Sequence, residues 1–370
     1  RRGWNPVFIR VHTDAGVSGI GEMAPSYSSS LQGAIRHLQH IGPRFLGKDP
    51  VQAVPEVFPY LFPFQKPSLE AGHAVSALEE ALMDIKGKAL GVPAWELIGG
   101  RVRDSVRLYA NGWCYNLTEP QQYADAARGV VEAGFTAMKF DPFRYFDGGF
   151  RWDHQRPGSA PRSRWIRVAV DRVGAVRDAV GPDIDILLEA HAKFDPPTAV
   201  YIADAMAEFD LYWYEEPGDS SNVAAMKQIA DAVRLPIALG ERLMTRWDFY
   251  PFVDARAAAI LQPDLGMAGG LTETKKIADY AEVHKVFIAP HNCGGPVNSA
   301  AAFQLDAACR NFLIQETFPF RNTDYFDYTV EPYEARFRDG YYRYDSQDAP
   351  GLGIELDDDK LKQADKTVIR

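Results

Sequence analysis

The sequence predicts a parallel α/β barrel of the TIM type, preceded by a separate α+β unit. Three observations predict it. Beyond residue 105, eight short apolar runs follow one another: VRLYANG from 106, TAMKFDP from 136, DILLEAH from 185, LYWYEEP from 211, PIALGER from 236, AILQPDL from 259, VFIAPHN from 286 and FLIQET from 312. Most starts lie 23 to 30 residues apart, the length of one strand, one helix and two short loops. Three of the runs close on a glutamate, Glu189, Glu215 and Glu241, each 26 residues after the last. Before residue 105 the texture changes to two-residue alternation followed by helical spacing.

Taken in order, VFIRVHTDAGVSGIGEMAP reads as an antiparallel hairpin with glycine-containing turns. LQGAIRHLQHIG and LEAGHAVSALEEALMDIKGKALG read as helices that complete an α+β capping unit over 1–105. The barrel spans 106–330, its runs apolar on both faces as strands covered by helices must be. Between them, stretches such as QQYADAARGVVEAG carry helical apolar spacing, this one closing on Gly134 as a C-cap. One interval is anomalous. The second and third runs start 49 residues apart, and the excess contains RYFDGGFRWDHQRPGSAPRSRW, read as a lid or specificity loop over the strand ends. From 331 to 370 the barrel rhythm is lost, and GYYRYDSQDAPGLGIELDDDKL is expected to pack back on the capping unit.

Composition narrows the function. In 370 residues, 46% hydrophobic and 24% charged content is globular and ample for a sizeable core. Lys+Arg 40 against Asp+Glu 50 gives a formal charge of −10 spread along the chain, which argues against nucleic acid or an anionic membrane as partner. A small anionic substrate is compatible if a metal and a few cations shape the local field. Cys114, Cys293 and Cys309 are too few and scattered for a disulfide framework, and no apolar stretch reaches the ~18 residues of a membrane span, so a reducing cytoplasm is expected. The chain starts on Arg rather than Met, which leaves room for residues upstream.

At neighbouring strand ends Glu189, Glu215 and Glu241 converge, and three carboxylates repel unless a cation joins them. All-oxygen ligation points to a hard divalent ion, with Mg²⁺ preferred to Ca²⁺ and Mn²⁺ left open. His191, two residues beyond Glu189, shares its side of the strand. His291 ends the seventh run and Asp264 the sixth; an Asp on the adjacent strand can accept the imidazole N–H, which makes a general-base dyad. Lys139 and Asp141 form another i, i+2 pair, Lys139 serving a substrate carboxylate, a metal-ligand oxygen or a buried ion pair. Glu316 ends the eighth run, where a protonated acid would donate to a developing oxyanion. Glu216 is read as facing away from the metal in a structural role, and His154 in the long loop is left unassigned.

These residues, with ALEEALMDIKGKALGVPAWELIGG at 77–100 and PGLGIELD at 350–357, make the chain resemble the enolase superfamily, mandelate racemase subgroup, over nearly its whole length. Within it, the chain is most similar to the galactonate dehydratase-like acid-sugar dehydratases, which pair the first metal ligand with a His two residues on and set the dyad His 25 residues before the last Glu, as His291 and Glu316 are here. The resemblance implies a modified TIM barrel of the (β/α)7β type, its N-terminal capping domain completed by the C-terminal segment. It implies one Mg²⁺ per active site, a small sugar-acid substrate and a homo-oligomer between dimer and octamer. His291 would take the C2 proton, Glu316 and Lys139 would hold the oxyanion, and His191 would protonate the leaving 3-hydroxyl, giving a 2-keto-3-deoxy acid. Racemases of the subgroup carry K-x-K on the second strand, and Asp141 stands where the second Lys would be. The alternative is a racemase, epimerase or cycloisomerase acting through the same enediolate. Asp141, Arg164 and Trp152 are assigned to substrate binding, Arg144 and Arg162 being further loop candidates for its distal end, and SYSSS at 26–30 with FPYLFPFQ at 58–65 to closing over it.

Overall fold

A computed structural model describes residues 6–23, 31–62, 66–144, 162–320, 328–345 and 349–370. Trp152, His154, SYSSS and most of the long loop after the second barrel strand lie outside the described residues. Strands β1 (Val7–His12) and β2 (Ser18–Met23) form the expected hairpin, paired from Val7↔Met23 to His12↔Ser18. Of its glycines, Gly16 serves the turn with φ 79°. Gly19 and Gly21 do something else. A Cβ on Gly21 would lie 1.9 Å from the Ala77 carbonyl oxygen, and one on Gly19 2.1 Å from that of Ala81, so both let a helix lie directly against the strand.

After α1 (Leu31–Ile41) and α2 (Pro50–Val57), that helix is α3 (Leu69–Leu90), started by Ser68 accepting the Ala71 N–H at 3.2 Å and stopped by Gly91 at φ 70°. It is buried on nearly every face because the hairpin covers one side and the barrel the other. Its buried acids each accept backbone N–H groups of other segments: Glu79 from Leu271 and Thr272, Glu80 from Glu22, and Asp84 from Ile20 and Leu352. The acids of ALEEALMDIKG are therefore rivets between units rather than a solvated face.

The barrel strands are β3 (Ser105–Ala110), β4 (Ala137–Phe140), β5 (Asp185–Glu189), β6 (Trp213–Glu215), β7 (Ile237–Leu239), β8 (Ile260–Leu261), β9 (Phe287–Ile288) and β10 (Gln315–Thr317). They are parallel and paired in chain order from β3 to β9, with β10 beside β3. At the seam, the Leu313 N–H donates to Ile288 O and the Ile288 N–H to Asn311 O, so the residues entering β10 meet the β9 edge. Around the outside run α4 (Pro120–Glu132), α5 (Arg162–Val180), α6 (Pro196–Ala205), α7 (Val223–Ala232), α8 (Thr245–Asp254), the single turn α9 (Leu265–Ala268), α10 (Gly270–Val283) and α11 (Pro296–Ala308). RSRW, read as the end of the long loop, is the first turn of α5. Inside, one residue per strand builds an apolar layer: Tyr109, Ala137, Leu187, Trp213, Ala238, Ile260, Ala289 and Ile314.

The C-terminal segment touches both units. Its hairpin, β11 (Phe337–Arg338) with β12 (Tyr341–Arg343), adds antiparallel to β3 of the barrel. The chain then reaches the capping unit, where the Leu352 N–H donates to Asp84 and Arg10 pairs with Asp358 at 2.8 Å.

Candidate active site

Side chains alternate across a strand, so the residues two positions beyond the apolar layer return to the barrel interior at its C-terminal mouth. They are Asn111, Lys139, Glu189, Glu215, Gly240, Gln262, His291 and Glu316, with Glu241 directly after Gly240. The apolar floor excludes water beneath them, and every charged member of this ring is at most 5% exposed, as is Glu241.

Lys139 is the hub of the ring. Its Nζ lies 2.6 Å from Glu215 Oε1, 3.0 Å from Glu316 Oε1 and 3.6 Å from Glu189 Oε2. Burial alone would lower its pKa, but Glu215 and Glu316 outweigh this and hold the ammonium charged. The buried ion pair, one of the roles left open by sequence, is present. Glu215 spends its other oxygen on the Trp213 indole N–H at 3.0 Å.

Glu189 is less well satisfied, whereas Glu241 pairs with Arg242 at 2.9 Å. Glu189 Oε1 accepts the His191 N–H at 2.6 Å, while its buried Oε2 has no hydrogen-bond partner. Burial and neighbouring Glu215 raise the Glu189 carboxyl to about 7, and burial raises Glu241. Such an acidic knot, with an orphaned oxygen on Glu189, fits a hard divalent cation. Glu189, His191 and Glu241 present ligand atoms mutually within 4.8 Å. Glu215 stands on the neighbouring strand in register with Glu189, its oxygens drawn to Lys139 and Trp213.

Asp264 and His291 meet as the strand order requires. Asp264 Oδ2 lies 2.7 Å from His291 Nδ1, and Oδ1 accepts the Gly266 N–H at 2.8 Å as the N-cap of α9, which fixes the carboxylate. His291 Nε2 then faces Glu241 Oε2 at 3.5 Å and Glu316 Oε2 at 3.9 Å. Burial would lower this imidazole; Cys293, Glu316 and Asp264 beside it raise it well above its ordinary value.

Three of the expected site residues are surrounded by charged neighbours. Glu316 is no protonated donor: burial favours the neutral acid, but Lys139, His291, the Asn292 N–H at 2.9 Å and the Asn111 amide at 2.7 Å hold it at about 2, as an anion. Asp141, expected at the substrate, has its oxygens engaged by protein donors. The oxygens accept from the Phe143 N–H at 2.9 Å, Arg144 Nε at 3.2 Å, His191 Nδ1 at 2.8 Å and Lys193, and these cations overcome burial to hold the carboxyl far below its usual range. His191 is oriented by Asp141 through Nδ1, and its Nε2 lies 2.6 Å from Arg144 Nη2. Burial, then the Arg144 and Lys193 charges, lower it to about 3. Arg164 is exposed on α5, and Trp152 lies outside the described residues. Glu216 turns aside at φ 38° and pairs with Arg242, the structural role expected of it.

The sequence reading passed over Asn111, Gln262 and Trp213. Each could have been found by counting two residues on from the interior apolar residue of its strand, or, for Trp213, by seeing that this layer itself touches the carboxylates. Arg144, Asp141, Lys139, Glu189 and His191 line one cleft together with Asn111 and Tyr115.

Comparison with known proteins gives the family. Residues 4–99 match the family described as mandelate racemase / muconate lactonizing enzyme, N-terminal domain, and 122–360 match enolase C-terminal domain-like. The chain belongs to the mandelate racemase/muconate lactonizing enzyme family of the enolase superfamily. Among members of that family, D-gluconate/D-galactonate dehydratase of Picrophilus torridus is 35% identical over 80% of this chain and 72% of its own. D-galactonate dehydratase of Variovorax paradoxus is 31% identical over 97% and 91%. A solved enolase-superfamily member from Salmonella Typhimurium superposes with a TM-score of 0.90 at 34% identity, covering 97% of this chain and 95% of that one.

Proposed function

We propose that the protein is a Mg²⁺-dependent acid-sugar dehydratase that removes the C2 proton of a sugar acid and eliminates its 3-hydroxyl to give a 2-keto-3-deoxy acid. The observation that carries this reading is the Asp264–His291 pair. With Nδ1–H donated to Asp264, the lone pair of Nε2 opens onto the buried carboxylates, where a general base must stand. Glu189, Glu215 and Glu241 would hold the metal. When bound, it supplies positive charge against the charge that develops on a substrate carboxylate, and the same field opposes the raised proton affinity of His291.

The remaining steps belong to the chain's own groups. Lys139, kept cationic at the hub, offsets negative charge growing at the reacting end. Anionic Glu316 fixes Asn111, Asn292 and Lys139 rather than donating a proton. Once Arg144 has turned from Nε2 to the substrate, its charge no longer depresses the ring; His191, fixed by Asp141, then takes a proton from solvent on Nε2 and passes it to the departing hydroxyl, which leaves as water while the enol becomes the ketone. Two-base racemisation lacks its second base, because Asp141 stands in that place with its oxygens taken by protein donors.

Incubation with a panel of sugar acids including gluconate, galactonate and xylonate tests the reading. A 2-keto-3-deoxy product from at least one of them, absent with His291→Asn, supports it; a product of unchanged mass assigns an isomerase instead.

A further inference from the structure

His291, Cys293 and Glu316 present one ligand atom each, all mutually within 4.8 Å. We infer that these three form a second, soft-metal site, which takes Zn²⁺ or a similar borderline ion and thereby blocks the base.

The local sequence sets the donors. His291 and Cys293 are two apart in PHNCGGP, and the residue between them is tied down away from both: the Asn292 N–H donates to Glu316 Oε2 and its amide to Ser299 Oγ at 2.9 Å. Glu316 divides its oxygens, Oε1 to Lys139 and Asn111, Oε2 toward His291 Nε2 at 3.9 Å. Asp264 on His291 Nδ1 completes the arrangement in which a carboxylate orients a metal-binding imidazole and exposes the other nitrogen's lone pair. Imidazole, thiolate and carboxylate with an open fourth position suit tetrahedral Zn²⁺, whose bonds to N, S and O run about 2.0–2.3 Å, so the donors need close by only about an ångström. A hard ion has no use for the thiol, and the all-oxygen set of Glu189, Glu215 and Glu241 has no soft donor. The two sites therefore sort ions by chemistry. On binding, the Cys293 thiol proton and any proton on His291 Nε2 are released to solvent, and His291 Nε2 is no longer available to a substrate proton.

Metal capture itself does not depend on the proposed reaction; only the inhibition does, because it rests on His291 being the base. Two measurements separate them. Co²⁺ added to the Mg²⁺-loaded protein should give ultraviolet thiolate-to-cobalt charge-transfer absorption, lost in Cys293→Ser, whose fold is verified by circular dichroism. Absorption that persists in Cys293→Ser, or never appears, overturns the site. In turnover assays at saturating Mg²⁺, Zn²⁺ should inhibit the wild type, while Cys293→Ser, each protein measured against its own zinc-free rate, should need roughly 100-fold more. Equal inhibition of both proteins overturns the inhibitory role even if cobalt binds.

Discussion

Lys139 carries the electrostatics of the ring, since Glu215 and Glu316 both lean on one ammonium group within a dry barrel. Replacing it by Met strands two buried carboxylates, and breaking such a pair costs about 3–5 kcal/mol. Urea unfolding of Lys139→Met should show that loss without Mg²⁺ and a smaller one with it. Asp264→Asn keeps the cap of α9 yet weakens the hold on Nδ1–H; kcat should fall by about 10²- to 10⁴-fold, with an unaltered circular dichroism spectrum. The acids and both histidines were legible in sequence because each ends an apolar run at barrel spacing. Their protonation was not. Glu316 reads as a buried acid until Asn111, Asn292 and Lys139 are seen around it, and these come from three other strand ends. Asp141 likewise reads as a free strand-end carboxylate until Lys193 and Arg144 fold back on it.

The apolar runs named every barrel strand, but ladder pairing covers only part of each run, two residues in β8 and β9. The reason is that the polar mouth of each run already belongs to the site rather than to the ladder. In the hairpin, pattern gave the strands and misjudged the glycines. Gly19 and Gly21 have no turn to make; they let β2 touch α3, a contact between segments that alternation cannot report. Gly21→Ala drives a methyl into the Ala77 carbonyl and should cost roughly 1–3 kcal/mol in denaturant unfolding, whereas Gly47→Ala, with open space but φ 75°, should cost less.

Across the whole molecule, Glu22 on β2 joins the capping unit to the barrel by accepting the Val297 and Asn298 N–H groups at 3.0 and 3.1 Å at the start of α11. Burial raises its carboxyl from 4.5 to about 7 despite those donors. A group whose folded pKa is raised stabilises the fold fully below its unfolded pKa, and the gain is lost as pH rises through the folded one. Between pH 4.5 and 7 this contribution should therefore decline, by roughly 3 kcal/mol at most, and Glu22→Gln should flatten that part of a pH series of urea midpoints. Sequence reading expected two units and a returning tail. It missed that the tail's hairpin first extends the barrel sheet at β3, because strands this short carry no pattern of their own. The central claim is that His291, held by Asp264, takes a proton from the carbon beside a carboxylate. Deuterium uptake at C2 of a turned-over or bound sugar acid, followed by NMR in D₂O with Mg²⁺, tests it most directly. The account predicts uptake with the wild type and none with His291→Asn; uptake that survives this substitution would contradict it.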